Sequence, residues 1–168
     1  MYLQIELYDE DKPMLRFLWR DLDSSKEPQI YEYCRVVFGI NTSPFIALKV
    51  SQQSAQKYKD ELPLAAETVL KSTYMDDSLD SVIDEQVGLE LYNQLITLWG
   101  QAGMKPMKWV FNSKAFLEAV PKEQRAKSDD IFSRGMSNIS LMCAFYRRQS
   151  GTNYSPHTIR QRLCRARR

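Results

Sequence analysis

Three short segments near the start of the chain are rich in aromatic and branched apolar residues. They cover residues 1–8 ("MYLQIELY"), 14–20 ("MLRFLWR") and 30–38 ("IYEYCRVVF"), and the polar cluster "DEDKP" separates the first two. Short apolar runs bounded by turn-forming residues are typical of strands. The pattern therefore predicts three strands of an antiparallel sheet.

After Gly39 the pattern changes to one with helical spacing. Ser43 is suited to an N-cap and Pro44 to the first helical position, where its missing N–H costs nothing. We expect a helix here, with Phe45 and Leu48, and Ala55 as a further candidate, on one apolar face.

Two further helices are predicted. Residues 63–70 ("PLAAETVL") form a short one, and the clearest helix of the chain runs from about residue 84 to 99. Its acidic first turn lies at the positive end of the helix dipole. Apolar residues recur along it at helical spacing: Val87, Leu91, Leu95 and Leu98.

Between these helices, two runs with strand character flank a pair of carboxylates. Residues 69–75 and 78–83 surround Asp76 and Asp77, which predicts a hairpin with the Asp pair as its two-residue turn. Residues 104–111 form one more predicted strand. The order of elements predicts an α+β fold, an antiparallel sheet with helices packed on one face.

Size and composition fit a soluble intracellular protein. The 168 residues are 43% hydrophobic, and the net charge of +2 argues neither for nor against a polyanionic partner. Basic residues crowd residues 147–168. Cys34, Cys143 and Cys164 are odd in number and widely spaced, which favours reduced thiols in an intracellular compartment. No apolar run approaches the roughly 18 residues that a membrane span requires, so we expect no membrane partner.

Four blocks in order resemble reverse transcriptases. Tyr74-Met75-Asp76-Asp77 looks like their Y-x-D-D motif, "VVFGINTSPFIA" (36–47) like their second palm motif, and "GMKPMKWVFNS" (103–113) like their Gly-and-Lys motif. The opening block, residues 1–20, is similar to the segment after the first catalytic motif. The amino-acid sequences of these blocks are most similar to those of polymerases from Pao/BEL-type LTR retrotransposons. The resemblance covers residues 1–125, a palm with partial fingers, and leaves 126–168 as a divergent basic extension.

The resemblance implies RNA-directed DNA polymerisation on an RNA or DNA primer–template with dNTPs, in a cytoplasmic retroelement particle. Nucleotidyl transfer uses two Mg²⁺ ions, which activate the 3′-hydroxyl and neutralise the leaving pyrophosphate. Asp76 would be the principal metal ligand and Asp77 the secondary one. The alternative from the residues alone is a solvated Asp-Asp turn.

Other positions acquire substrate roles from the same resemblance. Tyr2 would exclude a ribose 2′-hydroxyl, and Lys108 would contact the triphosphate. Three positions have a plainer alternative. Tyr2 would be a half-buried strand tyrosine, Gly39 a strand-to-helix turn, and Lys108 a solvated lysine. The complete set of expected substrate contacts is Tyr2, Phe38, Gly39, Tyr74, Met75 and Lys108.

One part of the family's catalytic set has no counterpart in this sequence. The resemblance puts the first-motif Asp just upstream of "MYLQI", so we expect a fragment whose activity alone is doubtful. Two alternatives stay open. The chain is a non-catalytic nucleic-acid-binding or assembly module, or the missing strand leaves a central sheet edge open and the fold is unstable. The oligomeric state is also open.

Overall fold

The computed structural model describes residues 1–126, 139–145 and 163–165. It confirms the predicted α+β class with antiparallel strand pairing. The chain forms two compact units. The first comprises residues 44–147 with Met1, and the second comprises residues 2–43 and 148–168. The predicted division of the chain at residue 125 stays a prediction.

The first unit contains a four-stranded sheet in the order β3-β4-β6-β5. Every neighbouring pair is antiparallel. Its strands are β3 (Thr73–Tyr74), β4 (Asp77–Val82), β5 (Pro106–Phe111) and β6 (Ile139–Phe145).

Strand β6 lies between β4 and β5 and pairs with both. It runs along all of β4, from Asp77 opposite Ala144 to Val82 opposite Ile139. Residues 139–145 lie in a segment that is apolar enough for a strand or a short helix, and they form a strand. The expectation that a missing strand leaves a central sheet edge open stays a prediction.

The helices of the first unit begin with residues suited to helix starts. Pro63 occupies the first position of α2, where proline is favoured. Asp84 is the N-cap of α3, and its carboxylate accepts a 2.8 Å hydrogen bond from the Val87 N–H. The bounds are α1 (Ser43–Lys57), α2 (Pro63–Lys71), α3 (Glu85–Gln101) and α4 (Lys114–Ala119).

Helix α3 lies very close to the sheet at Gly88. A Cβ at this position would be 3.2 Å from Val82 Cγ2 and 3.0 Å from Phe116 Cε2. The core continues from here between α3 and β5, where the rings of Tyr92 and Trp109 are 4.8 Å apart edge to face. The predicted apolar face of α3 is confirmed, since Leu91, Leu95 and Leu98 are buried.

The predicted apolar face of α1 is only partly buried. Phe45 is 69% exposed, and the buried positions of the helix are Ser43, Ala47, Ser51 and Ala55, at intervals of four residues. The buried face of α1 thus consists of alanine and serine side chains. The Ser43 hydroxyl donates to the Val37 carbonyl at 2.6 Å, so it ties the helix start to the preceding strand region instead of capping it.

The second unit contains a three-stranded antiparallel sheet in the order β1-β2-β7. The strands are β1 (Arg16–Trp19), β2 (Gln29–Tyr33) and β7 (Leu163–Arg165). The first predicted strand is partly wrong, because Tyr2–Gln4 form a 3₁₀ turn closed by the Ile5 N–H on the Tyr2 carbonyl. Only the following residues pair in an extended manner, through an antiparallel bridge between Glu6 and Arg35. Tyr2 and Ile5 are both buried by this turn, a spacing of three that a strand does not give.

Cys34 is part of a disulfide bond. The prediction that all the cysteines are reduced thiols is therefore wrong for Cys34. This removes one of the sequence arguments for a cytoplasmic location, since disulfides persist mainly in oxidising compartments.

Candidate metal and nucleotide site

The two carboxylates lie at a tight hairpin, one residue away from the predicted register. Tyr74 pairs with Asp77, so the turn residues are Met75 and Asp76, and Asp77 is the first residue of β4. The prediction that the Asp pair itself forms the turn is wrong. Met75 has φ 53°, a left-handed conformation at the first turn position that two-residue hairpins require and that glycine usually supplies.

The alternation along β4 puts Asp77 on the open face of the sheet. Asp77, Leu79 and Ser81 are exposed, whereas Ser78 is fully buried. The helices cover the opposite face, where Gly88 of α3 lies against Val82. A ligand can therefore reach Asp77 from solvent while the strand that carries it is held by the core.

A buried hydroxyl cluster, which the sequence did not reveal, lies under the hairpin. The Thr73 and Ser78 hydroxyls are 2.7 Å apart, and Thr73 also donates to the Thr68 carbonyl at 3.2 Å. The Thr68 hydroxyl donates to the Asp80 carboxylate. We name Thr68, Thr73, Ser78 and Asp80 the hydroxyl cluster. It connects α2 to both strands and fixes the register that presents Asp76 and Asp77.

Lys108 lies at an irregularity of β5. Met107 pairs with Ala144 and Val110 with Met142, so Lys108 and Trp109 together oppose one residue of β6. This is a β-bulge, a feature that changes the direction of a side chain. Lys108 has φ 56°, the left-handed conformation found at the first residue of one bulge type. Met107, the residue before Lys108, pairs with residue 144 of β6, which in turn pairs with Asp77 of β4.

The charges around Asp77 act in opposite directions. Desolvation of the carboxylate raises the pKa of Asp77 above its usual value, and the neighbouring charge of Asp76 raises it further. The Lys108 ammonium lowers the same pKa and so offsets part of the shift. The charges of Asp76 and Lys108 thus both act on the Asp77 carboxylate, and the predicted common site stays a prediction.

The donor set fits one Mg²⁺ ion that is held together with substrate phosphates. Mg²⁺ takes oxygen ligands, retains several waters and is often held by only one or two carboxylates. In the part of the chain that the structure describes, no three His, Cys, Asp or Glu side chains come together as a metal site. Asp76 and Asp77 alone therefore do not supply the shared ligands that two ions need.

The remaining expected substrate contacts divide between the two units. Tyr74 is 72% exposed beside the Asp pair in the first unit. Tyr2, Phe38 and Gly39 belong to the second unit, where the Tyr2 and Phe38 rings are 4.7 Å apart. Tyr2 is only 8% exposed and lies in a 3₁₀ turn, so its plainer alternative of a half-buried strand tyrosine is wrong. Gly39 has φ 86°, and a Cβ there would meet no atom within 4 Å, so backbone conformation is what requires glycine.

Comparison with protein-family models, with curated proteins and with solved structures finds no match for this chain. The resemblance to reverse transcriptases therefore depends on the four sequence blocks and stays a prediction.

Among residues 1–126, 139–145 and 163–165, no helix has both the length and the apolar character needed to cross a bilayer.

Proposed function

We propose that the β3–β4 hairpin binds a divalent cation together with the phosphates of a deoxynucleotide. The site would be that of a reverse-transcriptase-type palm of the Pao/BEL kind. The observation that supports this most directly is the coupling of two adjacent carboxylates on an accessible sheet face with Lys108 of β5. A cation beside two anions suits a substrate that brings both Mg²⁺ and phosphate.

Each residue has a defined task in this proposal. Asp76 and Asp77 hold the cation, which when bound neutralises phosphate charge and activates the attacking hydroxyl. Lys108 stabilises negative charge on the leaving phosphates. Tyr74 offers an exposed ring beside the carboxylates, where it can contact the sugar or base. Polymerisation would need a further carboxylate that this hairpin does not contain.

The test is binding of a dNTP to the full chain with and without Mg²⁺. We expect binding that requires Mg²⁺ and falls about tenfold or more in Asp76→Asn, because one charged metal ligand is lost. Asp60→Asn is the matched control, since Asp60 is an exposed acid outside the hairpin and its loss should change nothing. Binding that ignores Mg²⁺, or an Asp76→Asn variant that binds as well as the parent, would refute the proposal.

The second candidate function is a nucleic-acid-binding or assembly module without catalysis. The observation that favours it is the lack of a third metal-binding side chain in the described residues. Deleting residues 147–168 would be a poor test, because β7 lies within them and pairs with β2. Changing Arg160, Arg162, Arg167 and Arg168 to glutamine leaves β7 itself unchanged.

For the module, RNA binding should weaken steeply with salt. The slope of log K against log salt is negative, and the quadruple glutamine variant should make it less steep by about 3, at roughly 0.7 per neutralised phosphate. An unchanged slope would exclude the basic C-terminal residues as the binding surface. Asp76→Asn should have no effect on this binding, which separates the two candidates.

A further inference from the structure

The disulfide bond of Cys34 is made with one of the two other cysteines of the chain. The structure contains a single chain, whose remaining cysteines are Cys143 and Cys164. Residue 143 pairs with Ser78, which is completely buried, so it is placed on the face of the first sheet that the helices cover. Cys164 belongs instead to β7, the strand next to β2, and is in the same unit as Cys34.

The register of β2 and β7 places Cys34 and Cys164 on the same face of the second sheet. Cys164 is opposite Glu32, and Cys34 is the next residue along the chain on that face. Diagonal neighbours in a regular ladder are about 7–8 Å apart, slightly more than the Cα separation that a disulfide allows. Cys34 follows the last residue of β2 and lies in a bend, so the ladder does not fix it at that spacing.

Strand β7 lies within the most basic part of the chain. It comprises three residues, and residues 160–168 around it include five arginines. Residues 2–43, which contain β2, have eight acidic and five basic side chains. The pairing of β7 with β2 therefore joins a basic segment to an acidic one. A strand of three residues makes few ladder hydrogen bonds, so a covalent link beside it adds much of what holds it in place.

We infer that the disulfide joins Cys34 to Cys164 and makes the pairing of β7 with β2 a redox-sensitive switch. Reduction by a dithiol breaks the S–S bond. The two sulfur atoms take up two electrons and two protons to become thiols, and the dithiol is oxidised to its own disulfide. Cys34 is half-buried at a strand end, so a small dithiol can reach it.

The switch controls whether the C-terminal arginines are available. In the oxidised chain β7 stays on β2, whereas in the reduced chain it leaves and residues 160–168 can bind a polyanion. The binding step rests on the second candidate function, an RNA-binding module, but the disulfide pairing and the release of β7 do not.

The pairing is tested by mass spectrometry of the full-length chain, digested without reduction. We expect a peptide that contains Cys34 linked to one that contains Cys164, and the same link in Cys143→Ser. A link between Cys34 and Cys143, a link between two chains, or thiols alone would overturn the inference.

The release of β7 is tested by amide hydrogen exchange with and without dithiothreitol. Amides of residues 29–33 that face β7 should exchange about tenfold faster or more after reduction, whereas residues 16–19 of β1 should stay protected by their pairing with β2. Without reductant, Cys164→Ser should exchange like the reduced parent and Cys143→Ser like the oxidised one. Reduction of the parent needs no substitution, so the result does not depend on the folding of a variant. Equal exchange in both redox states would overturn the switch, and so would a loss of protection that extends to β1.

Binding of single-stranded RNA at low salt separates the switch from the function it serves. Reduction of the parent should raise RNA affinity about fivefold or more, because further phosphate contacts release counterions, and the quadruple glutamine variant should lose this gain. Equal RNA affinity in both redox states would overturn the switch, since the arginines would then be available while β7 is paired. Faster exchange on reduction without any RNA binding would refute the second candidate function alone.

Discussion

The hydroxyl cluster under the hairpin predicts a measurable coupling between Thr73 and Ser78. Their hydroxyls are 2.7 Å apart, and Ser78 is completely buried. Thr73 has one hydroxyl proton, which it donates to the Thr68 carbonyl at 3.2 Å, so Ser78 is the donor in the pair. Each substitution therefore leaves a different group without its partner.

The magnitudes follow from what remains after each change. Thr73→Val removes the acceptor of a buried hydroxyl, and an unsatisfied buried donor costs about 1–3 kcal/mol. Ser78→Ala leaves Thr73 bonded to the Thr68 carbonyl, so its cost should be near 1 kcal/mol, that of one ordinary hydrogen bond. The double variant removes the pair together. It should cost less than the sum of the single changes by about 1 kcal/mol.

Urea denaturation of the parent, the two single variants and the double variant gives the four free energies of unfolding. The reasoning is refuted if the single effects add, because then the two hydroxyls do not interact. Mg²⁺-dependent dNTP binding, measured on the folded variants, should fall in Thr73→Val, since the cluster fixes the register that presents Asp76 and Asp77.

Three further predictions concern the same unit. Gly100→Ala should stabilise the fold by about 0.5–1 kcal/mol through helix propensity. Gly88→Ala would put a Cβ 3.0 Å from Phe116 Cε2, so in thermal unfolding it should be less stable than Gly100→Ala by about 1–3 kcal/mol. Equal stabilities would contradict the close approach of α3 to the sheet. Asp77→Asn should stabilise the fold at pH 7 in denaturant titrations. The pKa of Asp77 is raised in the folded state, so its protonated form contributes stability below the ordinary pKa of 3.8, and this stability is lost as pH rises through the folded-state pKa. The advantage of Asp77→Asn should therefore vanish in acid. Asp84→Ala should cost about 1 kcal/mol in urea melts by removing the N-cap of α3, and a change below 0.3 kcal/mol, roughly, would argue against that cap.

The sequence predicted best those elements whose signals are local. The sequence predicts helix α3 from its 3.6-residue period and its acidic first turn, and α2 from Pro63. Strand β5 followed from a run of apolar residues. These patterns need no knowledge of the partners that the segment will contact, which is why reasoning from one sequence reached them.

The errors concern features that depend on distant partners. The hairpin turn is displaced by one residue because Asp77 is a paired strand residue, with Tyr74 on one side and Ala144 on the other. The bulge at Lys108 exists only because β6 supplies one residue opposite two. Apolar periodicity also failed at Phe45, since it does not show which side of α1 meets the core.

Both sheets are completed by strands from the end of the chain. Strand β6 joins β4 to β5 in the first unit, and β7 pairs with β2 in the second. During synthesis the earlier strands leave the ribosome long before their partners exist. Pairings between residues so far apart in sequence form slowly and leave strand edges exposed in the meantime. Neither sheet can therefore close until these later segments have been made, and premature termination anywhere before residue 139 should leave both sheets incomplete.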